Sequence, residues 1–141
     1  MLRLSKRVEY AILAMQFMSL KSEELISAKE ISENLNISFE FLSKTLQVLM
    51  KNNLVESVQG IHGGYHLAKH PDEISVSEVI NALENSTGIV ECMVDGKDSC
   101  GRSDTCSIRY PMAKIQKQIN EFFKRISLTE ISNYNLSQII K

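Results

Sequence analysis

The chain has 141 residues, of which 43% are hydrophobic and 23% charged, and its formal net charge is -1. This length and composition predict one globular domain, or a small domain with an appendage, that buries about two-thirds of its surface on folding. No apolar run approaches the roughly 18 residues of a membrane span, and no secretory signal precedes the first amphipathic pattern, so we expect a cytoplasmic protein with no membrane partner.

The first predicted element is a helix over residues 5–20, capped by Ser5 and apolar around nearly its whole circumference. Such a helix must be covered on several sides by the rest of the fold. Arg3 is the first of three basic residues at its N-terminal end, and Glu9 is a lone carboxylate one turn into the apolar stretch. On local pattern alone, Glu9 is expected to be a surface or salt-bridged acid, because the helix dipole favours a negative charge there.

Two more helices follow, separated by a short turn. Ser27 and Glu30 have the spacing of a capping box, and the helix that they start ends at Asn36, a residue type that tolerates the left-handed conformation of a tight turn. Ser38 caps a third helix that runs to about Asn52. Helix, short turn and helix of these lengths predict a helix-turn-helix. The polar face of the third helix comprises Glu40, Ser43, Lys44, Gln47 and Lys51.

Two short β-rich runs come directly after this third helix. Residues 54–58 and 65–68 are strand-like, and the glycine-rich residues 60–64 between them predict a turn. A hairpin in this position is a wing, which places the preceding helix in a DNA major groove and itself along the backbone or minor groove. The alternative is a generic three-helix core with a hairpin. Ser75 and Glu78 then form a capping box at the start of a short helix.

The recognition helix and the wing supply the candidate DNA contacts. Lys44 and Arg3 are expected to act on phosphates, and Glu40 can accept a hydrogen bond from a cytosine amino group. Phe39 has a buried alternative, and His62 at the wing tip is expected to contact phosphate or sugar. The complete predicted set is Arg3, Ser38, Phe39, Glu40, Ser43, Lys44, His62 and Tyr65.

All three cysteines of the chain lie in one polar segment. Cys92, Cys100 and Cys106 are separated by seven and then five residues. So polar a segment cannot bury enough apolar surface to offset the entropy of ordering it. Three thiols in such a segment predict that it binds a thiophilic metal centre, which would hold the segment in place. Structural zinc sites usually carry closer cysteine pairs, so this spacing favours an iron–sulfur cluster. Zinc, a metal-free thiol redox switch and inert cysteines stay open, whereas the odd count argues against a disulfide framework.

The last third of the chain predicts a helix with an apolar seam. Its apolar residues recur in steps of four and three, as at the a and d positions of two interacting helices. The seam consists of Ile108, Met112, Ile115, Ile119, Phe122 and Ile126. It is too short for a free coiled coil, so it packs on this protein or on a second copy. A second copy is favoured because DNA readers of this kind commonly dimerise on paired half-sites. Ser127 and Glu130 predict the start of a short terminal helix.

The order of winged helix-turn-helix, cysteine segment and seam helix resembles a bacterial family of winged-helix iron–sulfur transcription regulators. This family includes the cluster-assembly regulator IscR, the nitric-oxide-sensing repressor NsrR and the iron regulator RirA. The resemblance covers nearly the whole chain and is carried by residues 4–11, 37–42, 60–65 and 74–79 together with the three cysteines.

The resemblance implies a homodimeric regulator of a palindromic DNA operator, with Cys92, Cys100 and Cys106 holding an iron–sulfur cluster that responds to nitric oxide, iron or redox state. The cysteine spacing is similar to the NsrR and RirA branches. IscR-like members place a histidine three residues after the last cysteine, where this chain has Arg109. The resemblance therefore favours a 4Fe-4S over a 2Fe-2S cluster. In NsrR-like members an acidic residue before the Tyr-Ala of the first helix is a ligand donated across the dimer, which implies Glu9 here.

The predicted fold is mainly α with a small β-hairpin. Residues 1–86 form the winged helix-turn-helix domain, 87–107 the cluster-binding loop, and 108–141 the dimerisation helix with a short terminal helix. The chain has no Ser-His-Asp set, phosphate loop or paired-carboxylate pattern, so we do not expect an enzyme. The alternatives are a winged-helix regulator that uses zinc or thiol redox chemistry, and an adaptor or cluster carrier that does not bind DNA.

Overall fold

The computed structural model describes residues 3–133, so the parts of the predicted domains at residues 1–2 and 134–141 lie outside the described residues. Within that range the chain forms seven α-helices and one two-stranded antiparallel sheet. The helices are α1 Lys6–Leu20, α2 Ala28–Leu35, α3 Phe39–Lys51, α4 Val76–Leu83, α5 Glu91–Val94, α6 Arg109–Arg125 and α7 Leu128–Asn133, and the strands are β1 Val55–Val58 and β2 Gly64–Leu67. This order confirms the predicted mainly α fold with a hairpin.

Serine caps set the starts of the N-terminal helices. The Ser5 hydroxyl accepts a hydrogen bond from the Val8 N–H at 3.3 Å, and Ser38 accepts one from the Phe41 N–H at 3.4 Å. Each cap satisfies a backbone donor that has no partner inside its helix. Between α2 and α3, Asn36 adopts the left-handed conformation, with φ of 52°. The predicted helix-turn-helix therefore rests on local bonds within a few residues of each helix end.

One predicted cap differs from the observed one. The Ser27 hydroxyl accepts from the Glu30 N–H at 3.1 Å, but the Glu30 carboxylate does not return to the backbone of Ser27. It pairs instead with Lys21, which follows α1, at 3.0 Å. A charged ammonium is a stronger donor than a neutral backbone N–H, so the ion pair displaces half of the predicted capping box. The box at Ser75, by contrast, is complete.

The core is built around α1, as its apolar circumference requires. Val8, Ala11 and Met15 are fully shielded from solvent, and α1 packs against α2, α3, α4, α7 and β2. The face of α3 that points inward carries Leu42 and Leu46, both without exposed surface. Because this face is buried, the opposite face of α3 points to solvent.

The hairpin follows α3 directly and pairs Val55 with Leu67 and Val58 with Gly64. Residue Ile26, between α1 and α2, adds a bridge to Tyr65 on the other edge of β2, with backbone bonds of 2.8 and 3.1 Å. A Cβ at Gly64 would lie 2.9 Å from the Ile26 backbone, closer than side chains tolerate. Glycine therefore lets this third segment approach the wing and fix it to the core.

The two C-terminal helices have different environments. Among the described residues of α6, none is buried. Leu128 at the start of α7 is in the main core, and the Ser19 and Ser132 hydroxyls lie 3.1 Å apart. The terminal helix is thus joined to the same core as α1, while α6 spans the surface between the cysteine segment and α7. No helix within residues 3–133 is long and apolar enough to cross a membrane.

The carboxylate of Glu78 is expected to contribute to the free energy of unfolding in a pH-dependent way. Burial by itself raises its pKa, but bonds from Lys69 at 2.7 Å and the Ser75 N–H at 2.8 Å outweigh burial and lower the pKa below its usual value of 4.5. The stabilisation is present above pH 4.5 and is lost as the pH falls through the folded-state pKa. We expect Glu78→Gln to lower the free energy of unfolding near neutral pH and to make less difference in acid, as measured by urea unfolding.

Glu73→Gln is the matched control, because Glu73 is an exposed carboxylate on the neighbouring 3-10 turn. An equal loss of stability at neutral and acid pH in Glu78→Gln would contradict the role of its ionised carboxylate.

Candidate nucleic-acid interface and metal centre

The outward face of α3 presents most of the predicted DNA-contacting residues together. Ser38, Glu40 and Lys44 are exposed, and Ser43 is partly exposed. Glu40 and Lys44 form an ion pair at 3.7 Å, one turn apart on the same face. Both side chains are in solvent, where such a pair contributes about 0–1 kcal/mol, so each can exchange its partner for a base or phosphate at small cost.

Two phenylalanines at the start of α3 have different environments. Phe39 is 55% exposed, so the alternative in which it is buried is wrong. Phe41 makes an edge-to-face contact with Tyr10 of α1, with ring centroids 5.5 Å apart. Phe41 thus anchors the start of the recognition helix to the central helix, and Phe39 stays free for an apolar contact such as a thymine methyl group.

The wing tip is a tight, exposed turn. His62 is exposed there, and its neighbour Ile61 is 99% exposed. A Cβ at Gly63 would lie 2.1 Å from the Val58 carbonyl oxygen, so only glycine permits this turn. Sequence reasoning did not select Ile61. The signal was available, because an aliphatic residue flanked by turn glycines has no core side to face.

The remaining two predicted DNA contacts lie in less exposed places. Tyr65 is half-buried, packs against the hydrophobic core and is tied through its backbone to Ile26. Arg3 is exposed and lines a cavity with residues of α4 and α6, rather than lying on α3 or the wing. The predicted contacts that the structure brings to one surface are therefore those of α3, with His62 on the adjoining wing.

The cysteine segment is organised by local turns. Cys92 lies in α5, Cys100 follows a 3-10 turn at Lys97–Ser99, and Cys106 precedes α6; all three are free thiols with partial exposure. Backbone bonds between near neighbours, such as Ser103 N–H to the Cys100 carbonyl at 3.2 Å, hold the segment. Sequence reasoning did not predict α5, because four residues are too few to show a helical period.

The donor set fits a thiophilic centre, but the thiols are not gathered around one point. Within residues 3–133, no group of three or more histidine, cysteine or acidic side chains is close enough to hold a metal. Thiolates are the soft ligands that bind iron–sulfur clusters and zinc. None of the three cysteines is in the buried core, and each is partly exposed.

Glu9 lies in α1 and is partly exposed. Its carboxylate accepts a bond from Lys6 at 2.7 Å, and this hydrogen bond raises the pKa of Lys6. The salt-bridged environment expected from local pattern is thus the one observed in the single chain. Within the described part of one chain, Glu9 and the three cysteines do not come together in a metal-ligating group.

The predicted seam of α6 divides into two flanks. Ile108, Ile115 and Phe122, each seven residues from the next, are 56%, 40% and 58% exposed. Met112, Ile119 and Ile126 are partly buried. Ile119 lines a pocket with residues of α4, and Ile126 packs against the hydrophobic core. One flank of the seam therefore packs within the chain, and the other is an apolar stripe that stays exposed among the described residues 3–133.

A family model described as "Rrf2: Iron-dependent Transcriptional regulator" matches residues 4–134. The IscR regulator of Pectobacterium atrosepticum is 35% identical over 133 residues, which are 94% of this chain and 80% of the relative. The NsrR regulator of Oceanobacillus iheyensis is 36% identical over 141 residues, covering 99% of this chain and 90% of that one. Both are described as HTH-type transcriptional regulators.

Solved structures of similar chains share the fold. CymR, the global cysteine regulator of B. subtilis, has a TM-score of 0.77 at 26% identity, with 96% of this chain and 99% of CymR covered. IscR of T. potens has a TM-score of 0.75 at 29% identity, with coverages of 97% and 91%. These relatives confirm the predicted resemblance, the winged-helix fold, and a role in regulation rather than catalysis.

Proposed function

Since the chain belongs to the Rrf2 family of iron-dependent transcriptional regulators, we propose that it is a homodimer that binds a palindromic DNA operator with an affinity set by an iron–sulfur cluster. Membership of the family makes the chain a DNA-binding transcription regulator. The observation that carries the finer proposal is the exposed face of α3 beside an exposed wing tip. The same chain has three free thiols ahead of α6, and an apolar stripe of α6 is exposed among the described residues.

For DNA recognition, α3 enters a major groove with its N-terminal end toward the bases. Ser38, Phe39, Glu40 and Ser43 lie at that end, where a recognition helix reaches base edges. When Lys44 exchanges its ion pair with Glu40 for a DNA phosphate, the Glu40 carboxylate accepts a hydrogen bond from a cytosine amino group. His62 contacts the sugar–phosphate backbone from the wing tip. The backbone tie of Tyr65 to Ile26 supports a role in holding the wing, and its partly exposed side chain is the part available to DNA.

For dimerisation, the uncovered stripe of α6 packs against the same stripe of a second copy. The 17 residues of α6 span about 25 Å, long enough for Ile108, Ile115 and Phe122 to lie along one interface. An isologous contact of this kind generates a two-fold axis, and a two-fold axis matches a palindromic operator.

For the metal centre, Cys92, Cys100 and Cys106 supply three thiolates and Glu9 of the partner subunit supplies the fourth ligand. Such a cluster, when bound, supplies a centre that reacts with nitric oxide, oxidants or changes in iron supply. A 4Fe-4S form is favoured over 2Fe-2S because Arg109 stands where a histidine ligand is found in IscR-like relatives. The carboxylate of Glu9 must first leave Lys6, and a carboxylate is a weaker ligand to iron than a thiolate, which suits an exchangeable position.

The coupling between the thiols and DNA follows from chain connectivity. The cysteine segment joins α4 of the winged helix-turn-helix domain to α6, which forms the proposed dimer interface. The Ile89 N–H donates to the Gln116 side chain at 2.7 Å and ties the start of this segment to α6. Fixing the three thiols around one centre fixes the angle between α3 and the two-fold axis, and releasing them changes the spacing of the two recognition helices.

The proposal is tested by selecting DNA from a random double-stranded pool with anaerobically purified protein. We expect enrichment of a palindromic sequence. For Lys44→Gln, we expect weaker binding to all sequences about equally and a slope of log affinity against log salt that is smaller by about 0.9, since one phosphate contact is lost.

Lys117→Gln, which removes an exposed lysine of α6, is the matched control and should leave the slope unchanged. If no sequence is enriched and wild-type binding has no salt dependence, the adaptor or cluster-carrier function replaces the proposal. Zinc in place of iron and sulfide in the purified protein would favour a zinc regulator on the same fold. Protein without any metal would favour a thiol redox switch.

A further inference from the structure

The tip of the wing carries an aliphatic side chain that the fold does not use. Ile61 is 99% exposed, more than any other large hydrophobic residue within residues 3–133. Apolar surface stabilises a fold roughly in proportion to the area removed from water, so Ile61 adds almost nothing to the core. Glycine, proline, asparagine, aspartate and serine are the residues that usually occupy turns. An isoleucine at the centre of this turn is therefore available to a molecule outside the chain.

A closed turn fixes the place of this side chain. The Gly63 N–H donates to the Gly60 carbonyl at 3.0 Å, so Ile61 and His62 are the two central residues of a four-residue turn. Gly60 takes a positive φ of 124°, whereas Ile61 and His62 are not among the residues with positive φ. Because the backbone at position 61 accepts any L-residue, Ile61 can be replaced without straining the turn.

The hairpin behind the turn is attached to the core along both strands. Val55 of β1 is in the core, and the Ala68 N–H after β2 donates to the Leu54 carbonyl before β1 at 3.0 Å. The bridge from Ile26 holds the outer edge of β2. Only residues 52–54 separate α3 from β1. The hairpin is thus held next to the recognition helix, and a wing so placed meets the DNA backbone or minor groove when the helix is in a major groove.

The chemistry of isoleucine favours the minor groove over the phosphates. Its side chain has no charge, donor or acceptor, so it cannot bind a phosphate oxygen. Apolar side chains, isoleucine among them, are the ones that DNA-binding proteins insert into the minor groove. In that groove a G·C pair presents the guanine amino group, which an A·T pair lacks. An aliphatic side chain pressed on the amino group would leave a donor without an acceptor, which is costly.

We propose that Ile61 enters the minor groove of the operator and contacts its floor at A·T base pairs, one Ile61 in each half-site. This inference rests on the DNA binding of the proposed function and adds a specificity determinant to it. His62, beside it in the turn, contacts the sugar–phosphate backbone, while Ile61 discriminates against the guanine amino group. The wing and α3 therefore read opposite grooves of the same half-site.

The test replaces each adenine of the selected operator in turn with 2,6-diaminopurine. This base adds an amino group in the minor groove and keeps the major-groove edge of adenine, so α3 meets an unchanged surface. We expect the affinity of the wild type to fall by about tenfold at a small number of positions in each half-site. At those positions an inosine·cytosine pair, which lacks the amino group, should bind more tightly than a G·C pair.

Ile61→Ala assigns the discrimination to the side chain. We expect this variant to bind the unmodified operator about tenfold more weakly and to lose its sensitivity to diaminopurine at the same positions. Its slope of log affinity against log salt should equal that of the wild type, because no phosphate contact is lost. Its midpoint of thermal unfolding should also be unchanged, since the side chain is outside the core.

Two further variants serve as controls. Ile61→Val retains a branched aliphatic side chain and should keep the sensitivity to diaminopurine. Val58→Ala removes a 46% exposed aliphatic side chain from β1 of the same hairpin, away from the tip, and should bind every operator as the wild type does.

Two results would overturn the inference and leave the proposed function standing. The first is an Ile61→Ala variant with wild-type affinity and wild-type sensitivity to diaminopurine, which would assign the exposed side chain to a protein partner. The second is a wild-type protein that binds its palindromic operator but tolerates diaminopurine at every position. If no operator is enriched at all, the inference and the proposed function are both wrong.

Discussion

Replacing any one of Cys92, Cys100 and Cys106 with alanine is expected to abolish the broad visible absorption of the anaerobically purified protein and to remove its iron and sulfide. The three thiols lie on one short segment. The two that remain after a substitution cannot hold a cluster, because its ligands must surround it. The same substitutions should change operator affinity at matched salt, because the segment joins α4 to α6. Absorption spectra, iron and sulfide analysis, and DNA titration of each variant provide the measurements.

Thr105→Ala is the control for these substitutions, since Thr105 is exposed beside Cys106 and carries no thiol. Glu9→Ala discriminates further. If Glu9 is the fourth ligand, its loss should alter the absorption spectrum and accelerate loss of iron. If Glu9 serves only its ion pair with Lys6, the spectrum should remain as in the wild type. Unaltered DNA affinity in a cysteine variant that has lost its iron would refute the coupling.

If two copies join through α6 as proposed, introducing glutamate at Ile115 or Phe122 is expected to convert the dimer into monomers. Both side chains belong to the uncovered stripe of α6, and a charge there would be desolvated against the same stripe of the second copy. A monomer contacts one half-site only, and two linked binding modules exceed either alone by about 10²- to 10⁴-fold in affinity. We expect an operator affinity lower by a factor in that range. Light scattering reports the mass, and DNA titration reports the affinity.

Tyr110→Glu provides the control on the same helix. Tyr110 is 81% exposed but lies on the opposite side of α6 from Ile115, by helical geometry. The Tyr110→Glu variant should therefore remain dimeric and bind DNA with the affinity of the wild type. A dimeric Ile115→Glu, Phe122→Glu double variant would show that a different surface joins the two copies.

Local sequence was sufficient for the ends of most helices. Ser5, Ser38 and Ser75 each bond to an N–H three residues further on, so the information lies within one turn. Asn36 marks the turn of the helix-turn-helix for the same reason, because its left-handed conformation depends on its own side chain. Motifs spread along the chain were enough to indicate the family, which the relatives confirm.

The local sequence pattern could not predict which side chains of a helix are buried and which are exposed. The four-three pattern of α6 predicts a single seam, yet Ile119 lines a pocket against α4 while Ile115 and Phe122 are exposed among the described residues. Phe39 and Phe41 are two residues apart in the same helix end, and only Phe41 meets Tyr10. Each outcome depends on which other element lies opposite, and apolar character alone does not contain that information.

The sequence by itself determined where helices begin, which face of α3 is polar, and that three thiols share one segment, because these properties depend on neighbours within a few residues. Only the tertiary structure decided that Glu30 bonds to Lys21 rather than to its own cap, and that an oxygen of Glu84 is enclosed with no donor among residues 3–133. Those outcomes are set by groups distant in the chain. Their energies depend on the distance and solvent access that packing imposes, which no local pattern encodes.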